Sequence, residues 1–540
     1  MINSNDDALD RNLSEEPAAR WRGPFAETGP RVFTIDPGEP FLTRLASGLA
    51  ASAPDPRNPL LITDVQLFLP TRRAARGLSE ALLSVAADQD EPAAGAAFTP
   101  RIRALGDIED TDLLELAALA GGAPPEAFPP PAMGEAARRF SAVGAVLAAS
   151  EGEPPSDLAA LALADEFNAL QDSLYTEEVD INRLDTAAPA EHAAHWGEAL
   201  KLAKAARKAV SDRAHRDGVM DPAARQAAMV DLLARIWART PPTHPVVAAG
   251  STGSAPAVAR LLAAIARLPQ GCVVLPGLDL DLNARGWARI DDPHPQNGLK
   301  KLLAAMDVDR SDVRPWPGPA SAAPSSMKPS AARRRLWSAA LRPAEATDDW
   351  RAIAADLAAA DPGAAGAAQG LHRIVARDDG EEAGAIALLM RETLEQPRRT
   401  AMLVTPDRVL ARRVCARLAR WGVEADDSAG APLSSTPLGA FLRLAAAAAI
   451  APTPLSLLSL LTSKICDETG VCDLSPEETR EGLRVLDLYA FRGPAGPPGL
   501  AGLRKKLTDW SAGDALTTEA ARRGARLLGA LESAFAPLAD

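Results

Sequence analysis

The stretch VQLFLPTRRAARGLSEALL, Val65–Leu83, constrains the fold more than any other part of the chain. Four of its first five residues are apolar, which is typical of a strand buried on both faces. Pro70 and Thr71 then form a tight turn, and helical spacing of apolar residues follows over Ala74–Ala87. A buried strand that leads directly into a helix predicts a parallel sheet with helices packed on it.

The same alternation of apolar run, turn and helix recurs in two blocks. In the first block the other predicted strands are RVFTI, TPRIRALGDI, PVVAAG and GCVVLPGLD, and in the second they are LHRIVARD, TAMLVTPD and VEADD. Between them, helical patterns separated by Pro and Gly are predicted at 111–119, 133–150, 157–173, 191–213 and 222–239. The sequence therefore predicts an α/β fold that is predominantly helical, with large all-helical insertions.

These patterns divide the chain into predicted parts. A Pro-, Ser- and Ala-rich stretch is the best linker candidate. The predicted parts are a flexible tail (1–30), a first α/β domain (31–109 with 241–313), a helical insertion (110–240), a linker (314–335), a second α/β domain (336–440) and a further helical insertion (441–540).

Composition restricts the function classes. The chain has 540 residues, of which 47% are hydrophobic and 24% charged, which is typical of globular proteins. A net charge of -13 repels polyanions, so a nucleic-acid site requires a local basic groove. No apolar run is long enough for a membrane span and the N-terminal segment is polar, so we expect a cytoplasmic protein without a membrane partner.

Cysteine usage also favours the cytoplasm. The four cysteines, Cys272, Cys415, Cys466 and Cys472, are scattered and form no disulfide framework. Cys466 and Cys472 lie six residues apart and lack a second pair or a nearby histidine, so a metal or cluster site there is disfavoured.

The turn after the Val65–Leu69 strand has the geometry for an anion, because a helix N-terminus presents backbone N–H groups and a favourable dipole. A nucleotide loop would also need glycines, a lysine and a metal-binding hydroxyl, and Gly-Lys occurs nowhere in the chain. A nucleic-acid phosphate needs less, and Thr71, Arg72 and Arg73 supply a hydroxyl and two cations. The alternative is a capped surface helix with two solvated arginines.

A second turn of this kind follows TAMLV, where Thr405, Asp407 and Arg408 precede an arginine-bearing helix. Two related turns along one groove would follow the backbone of a single nucleic-acid strand.

The sequence shows no recognisable set of catalytic residues. Ala249 and Gly250 stand at a strand end where an ATPase places its metal-binding carboxylates, and no lysine has Glu two positions before it. Asp165-Glu166, which is similar to a helicase motif, has helical spacing around it.

The order of these segments resembles the AddB subunits of bacterial AddAB helicase-nucleases, in their alphaproteobacterial form. The likeness rests on RVFTIDPGEPFLTRLASGL, VQLFLPTRRAARGLSEALL, TPRIRALGDI, the segment from PVVAAGSTGS to LPGLD, DDPHPQNGLKKLL, RPWPGP and the segment from AMLVTPDRVL to FLRL. It covers residues 31 to 444 and is looser beyond. Together these segments are specific, although each alone is not.

The resemblance implies two RecA-like helicase-type domains without ATPase activity, and a partner subunit of the AddA type that carries the motor. It implies a role in double-strand break repair by homologous recombination, with single-stranded DNA binding and a part in reading the Chi sequence. On this basis Thr71, Arg72, Arg73, Thr405 and Arg408 are the predicted DNA-binding residues.

Members of that family are longer than this chain. Their nuclease domain, with its 4Fe-4S cluster and Mg, lies beyond the matched segment, so we expect a truncated helicase-like half with no cofactor of its own. Two other functions stay open from the sequence: an ATP-dependent helicase or exonuclease active in its own right, and a helical interaction protein unrelated to DNA.

Overall fold

The structure, a computed structural model, describes the chain in part. The residues it does not describe are 1–20, 56–57, 88–97, 106–114, 117–127, 151–154, 187–192, 319–330, 348, 361–364, 398, 431, 495, 512–514 and 539–540. The chain divides into two compact units, Met1–Arg373 and Ile374–Asp540.

A six-stranded sheet organises the first unit. Its strands are β1 Val32–Ile35, β2 Gln66–Leu69, β3 Arg101–Ala104, β4 Val246–Ala249, β5 Gly271–Pro276 and β6 Arg314–Pro315. The order across the sheet is β3-β2-β4-β5-β1-β6, and every pair is parallel. The register places Val32 opposite Val273, and Gln66 between Arg101 and Val246. The predicted α/β class with a parallel sheet is confirmed.

Helices hold more than half of the described residues in the first unit. They are α1 Phe41–Ser52, α2 Arg72–Ala87, α3 Glu135–Ala149, α4 Asp157–Thr176, α5 Ala193–Asp217, α6 Pro222–Arg239, α7 Pro256–Arg267, α8 Ala284–Ala288, α9 Asn297–Met306, α10 Ala331–Ala340, α11 Trp350–Ala360 and α12 Ala365–Ala368. Helices α3 to α6 lie between β3 and β4 in the chain, within the predicted helical insertion. The predicted helix at 111–119 falls almost entirely outside the described residues.

The two faces of the sheet carry separate cores. Successive strand residues point to opposite faces, so Leu67 packs with Leu45 of α1 and Phe68 packs with helices α6 and α7 on the other side. The Phe68 and Trp237 rings meet edge to face, with 5.9 Å between their centroids. All of these side chains are buried, and each contributes about 1.5–3 kcal/mol of hydrophobic stabilisation.

The predicted flexible tail is wrong for its described part. Trp21 and Phe25 are buried against the same core as α1, with their rings in edge contact at 5.4 Å. The Arg22 N–H also donates to the Ser52 carbonyl. Residues 21–25 are held because two large aromatic side chains lose water-exposed surface there.

The predicted linker, 314–335, is ordered at both ends. Trp316 is buried, meets the Phe33 ring at 5.6 Å, and lies against Gly48, where a Cβ atom would approach Trp316 Nε1 to 2.0 Å. At the other end, residues 331–335 belong to α10. A linker prediction from composition failed here because a single tryptophan can anchor a Pro-rich segment to a core.

The regular secondary structure described in the second unit is helical. Its helices are α13 Asp379–Leu394, α14 Arg408–Ala419, α15 Pro437–Ile450, α16 Pro454–Leu461, α17 Lys464–Thr469, α18 Pro476–Leu486, α19 Gly499–Trp510 and α20 Ala515–Phe535. Helices α15 to α20 share one core, and α13 packs on α14 through Ala383, Ala387, Val414 and Leu418.

The strands predicted at 371–378, 400–407 and 423–427 are not formed among the described residues of this unit. Val375, Met402 and Val404 are 77%, 85% and 86% exposed. A strand requires a neighbour to pair its N–H and C=O groups, and no described segment supplies one. The second predicted sheet is therefore absent from the described part of the chain.

Candidate nucleic-acid interface

The carboxyl edge of the parallel sheet gathers several turns at one side of the first unit. Strands β1, β2, β4 and β5 all run in the same direction, so the segments that follow them leave from the same edge. Open parallel sheets bind their ligands outside this edge, where the dipoles of the following helices favour anions. The turns after these strands are therefore the places in this sheet where groups that hold phosphate are expected.

The β2 turn is built as the sequence predicts. Leu69 ends the buried strand, and the Thr71 hydroxyl oxygen accepts from the Ala74 N–H at 3.2 Å, which caps α2. Arg72 and Arg73 occupy the first turn of this helix and are exposed. A capped N-terminus of a 16-residue helix with two exposed guanidinium groups is suited to a phosphate group.

The β1 turn, by contrast, carries carboxylates. The Asp36 carboxylate accepts from the Gly38 N–H at 3.0 Å, and Glu39 pairs with Arg44 at 2.5 Å. In a nucleotide-binding sheet this turn would hold phosphate, yet here two negative charges stand in it. This turn therefore presents carboxylate acceptors where a nucleotide site would present donors for phosphate oxygens.

Arg334 of α10 occupies the space beside β1. Its guanidinium group donates to Asp36 and to Asp281 in the β5 turn, each at 2.5 Å. The hydrogen bond with Asp281 and then that with Asp36 raise the pKa of Arg334. Sequence reasoning missed this residue because nothing local in a run of three arginines indicates a partner 298 positions away.

The β4 and β5 turns add no cation. Gly250 follows β4 with φ at +77°, and the Ser251 hydroxyl oxygen accepts from the Gly253 N–H at 3.1 Å. In the β5 turn the Asp279 carboxylate accepts from the N–H groups of Asp281 and Leu282, both at 2.9 Å. Among the turns described at this edge, the cationic one is the turn that bears Arg72 and Arg73.

The second predicted turn lies in the unit Ile374–Asp540 and has a different local structure. The Thr405 hydroxyl oxygen accepts from the Asp407 N–H at 3.0 Å, and Asp407 in turn caps α14. The Asp407 carboxylate accepts from the N–H groups of Val409 and Leu410, at 2.7 and 3.2 Å. Thr405 therefore shapes the turn, while a carboxylate takes the anion-binding end of the helix.

Arg408 is engaged within the protein. Both of its terminal nitrogens donate to the Asp427 carboxylate, at 2.9 and 2.7 Å. This hydrogen bonding raises the pKa of Arg408. A phosphate would have to displace Asp427 to gain the same bidentate contact.

The structure thus brings Thr71, Arg72 and Arg73 together in one turn of the first unit, and Thr405 and Arg408 together in the second. The two turns belong to different units. Their placement along one groove stays a prediction.

The two cysteines considered for a cluster have ordinary surroundings. Cys466 is buried in α17, where burial raises the pKa of its thiol, and the exposed Cys472 thiol donates to the Ala530 carbonyl at 3.4 Å. In the portion of the chain that the structure describes, no group of three or more His, Cys, Asp or Glu side chains is placed to hold a metal ion. The cofactor prediction remains untested.

No family model and no curated protein sequence matches this chain. Within the described helices, none is long and apolar enough to cross a membrane.

Proposed function

We propose that this chain is the non-motor, helicase-like part of an AddAB-type helicase-nuclease, acting in double-strand break repair by homologous recombination. In this role it binds single-stranded DNA, supports an AddA-type motor subunit and takes part in reading the Chi sequence. The observation that carries the proposal is the β2 turn, where Thr71 caps α2 and Arg72 and Arg73 stand exposed at the carboxyl edge of a parallel sheet.

The arrangement of the edge supports binding without ATP hydrolysis. Carboxylates of Asp36, Asp279 and Asp281 surround the positions at which a nucleotide would sit, and Arg334 is already paired with two of them. A polynucleotide can be held at the β2 turn by phosphate contacts alone, with no close approach of backbone to a triphosphate. The competing function, an ATP-driven enzyme in its own right, requires a phosphate loop that this edge does not offer.

The proposal includes two RecA-like domains. For the first, the support is the parallel sheet of β1 to β6 with helices packed on both of its faces. For the second, the support is the succession of an apolar segment, α13, another apolar segment and α14, which is the order of a strand–helix–strand–helix unit.

A charge-reversal experiment tests the DNA-binding role. Arg72→Glu with Arg73→Glu is expected to weaken binding of fluorescein-labelled oligo(dT) by at least tenfold at low salt and to reduce the salt dependence of the dissociation constant. Fluorescence anisotropy measures both quantities. The matched control is Arg235→Glu with Arg239→Glu, which removes the same charge from exposed positions of α6. Equal weakening by both double variants, or by neither, would count against the proposal.

A further inference from the structure

A groove in the second unit carries a row of arginines that the two predicted turns do not include. It is lined by Asp378, Asp379 and Gly380 at the start of α13, by Arg413, Ala416 and Arg417 on α14, and by Arg420 directly after that helix. Its volume is about 740 Å³. The three arginines are four and three residues apart, so they project from one flank of the helix. We name this surface the arginine groove.

The helix that supplies the row is unusually basic for an acidic protein. Residues 408–420 contain five arginines and no Asp or Glu, whereas the whole chain has a net charge of -13. Its apolar residues Leu410, Val414 and Leu418 face the core with α13, which orients the Arg413, Arg417 and Arg420 flank toward the groove. The groove lining carries three arginines against the carboxylates of Asp378 and Asp379, so its charge is opposite in sign to that of the whole protein, as a polyanion site requires.

Arg417 is held in position by the shape of α13. Its guanidinium group donates to the Gly380 carbonyl at 2.9 Å and lies over Gly384, where a Cβ atom would come within 3.2 Å of Nη1. Gly380 and Gly384, one helical turn apart, therefore leave space for the guanidinium plane against the backbone of α13. A fixed arginine loses little conformational entropy when it binds a ligand.

The other two arginines differ in their engagement. Arg413 pairs with Asp379 at 2.8 Å, and both side chains are substantially exposed, at 46% and 77%. Such an exposed pair is weak and can exchange its partner for a stronger anion. The Arg420 side chain is exposed and makes no hydrogen bond to any group that the structure describes, while its backbone N–H donates to the Leu418 carbonyl. The row therefore offers one fixed, one exchangeable and one open guanidinium group.

We infer that the arginine groove binds the phosphodiester backbone of a single-stranded nucleic acid, which extends the proposed function to a second site and rests on it. Four residues of helix rise by about 6 Å, so neighbouring arginines are spaced for successive phosphates of an extended strand. Arginine is the side chain best suited to bidentate phosphate contacts.

Two features favour a nucleic acid over an acidic protein segment. The groove lining has one small apolar side chain, Ala416, whereas protein interfaces are usually anchored by large buried aromatic or aliphatic residues. At the end of the row, Trp421 is 40% exposed, and the Arg391 guanidinium lies 5.0 Å from its ring centre. Cations beside an aromatic ring are the combination that single-strand binding surfaces use for phosphates and bases.

The test replaces Arg413, Arg417 and Arg420 together by Gln in the full chain and measures anisotropy of fluorescein-labelled dT20 over a salt series. The expected result is at least a tenfold rise in the dissociation constant and a salt slope reduced by about two, from three lost phosphate contacts at about 0.7 each. The matched control replaces three ion-paired arginines of the same unit, Arg480, Arg523 and Arg526, by Gln.

Each possible result either supports the inference or contradicts it. Unchanged binding by a groove variant that keeps its circular dichroism spectrum, or equal weakening in the control variant, overturns the inference. Two results together would show that the groove recognises negative charge alone, so that the nucleic-acid assignment is wrong. In the first, a decaglutamate peptide displaces dT20 when both are present at the same concentration of negative charges. In the second, a triple Arg→Lys variant binds dT20 as the parent does. If dT20 binding is lost in the groove variant but kept in Arg72→Glu/Arg73→Glu, the β2 turn has no part in the proposed function. If dT20 binding is lost in Arg72→Glu/Arg73→Glu but kept in the groove variant, the arginine groove is not a DNA-binding site.

Discussion

Arg334 donates from Nη1 to the Asp36 carboxylate at 2.5 Å, although 298 positions separate the two residues in the chain. The same guanidinium group reaches Asp281 through Nε, so one side chain links α10 to the turns after β1 and β5. Where a nucleotide-binding sheet would present phosphate ligands, this protein has an internal ion-pair network.

Arg334→Ala is expected to loosen α10 from the sheet. The three side chains are 39%, 28% and 23% exposed, so solvent screening limits the network to about 1 kcal/mol of unfolding free energy. Hydrogen exchange followed by mass spectrometry should show faster exchange in peptides covering 331–340. The neighbouring exposed Arg335→Ala serves as the control and should leave exchange unchanged. Identical protection in both variants would mean that the network does not hold the helix.

Thr71→Ala is expected to destabilise the first turn of α2. The hydroxyl oxygen that caps the Ala74 N–H is lost, and such a loss costs about 1 kcal/mol. Thr71→Ser keeps the hydroxyl and should retain the parent stability in urea unfolding. If the serine variant is as destabilised as the alanine variant, the threonine methyl group and not the cap accounts for the effect.

Asp427→Asn is expected to strengthen binding of single-stranded DNA. Loss of the carboxylate charge releases Arg408 from a bidentate pair and also removes one negative charge near the turn. The gain should be about three- to tenfold, with a salt slope increased by about 0.7 for one additional phosphate contact. The double variant Arg408→Gln/Asp427→Asn should lose this gain. Unchanged affinity in Asp427→Asn would leave Arg408 a structural residue.

His244 is expected to make the protein less stable in mild acid. Burial lowers the pKa of His244 below its ordinary value of 6.5, and the positive charges of Arg101 and Arg103 act in the same direction against a smaller opposite effect of Asp64. The folded state binds this proton more weakly than the unfolded state, so stability falls as pH drops below about 6.5.

His244→Gln removes that proton-linked loss. Urea unfolding at pH 7.5 and 5.5 should therefore show a smaller drop in unfolding free energy for His244→Gln than for the parent protein. The exposed His215→Gln is the control and should show the parent's drop. A parental pH dependence in His244→Gln would assign the acid sensitivity to other groups.

Local pattern determined much of the first unit. The apolar run at 65–69, the turn with Thr71 and the helix after it appear in the structure with the predicted types and nearly the predicted bounds. Four helices of the insertion are likewise predicted from spacing and confirmed, and Asp165 and Glu166 lie inside α4. These features depend on residues within one or two turns of each other, which is the range over which periodicity and capping act.

Arg408 shows the limit of local reasoning at the site. Its place where the turn meets α14 was predicted from sequence, but its partner Asp427 lies 19 residues further on and decides whether the guanidinium is available. The arginine groove shows the same limit. Arg413, Arg417 and Arg420 are visible as a periodic row in the sequence, yet the two glycines beside the Arg417 guanidinium belong to another helix.

The sequence by itself determined the helix after β2 and the four described helices of the insertion, where the buried strands of the first sheet lie, and that the turn at Thr71 is capped. Only the tertiary structure decided the strand order, the pairing of Arg334 with Asp36, and the absence of strands at 371–378 and 400–407 among the described residues. The reason is physical. A helix satisfies its backbone hydrogen bonds within its own segment, whereas a strand and an ion pair both depend on partners that sequence distance does not reveal.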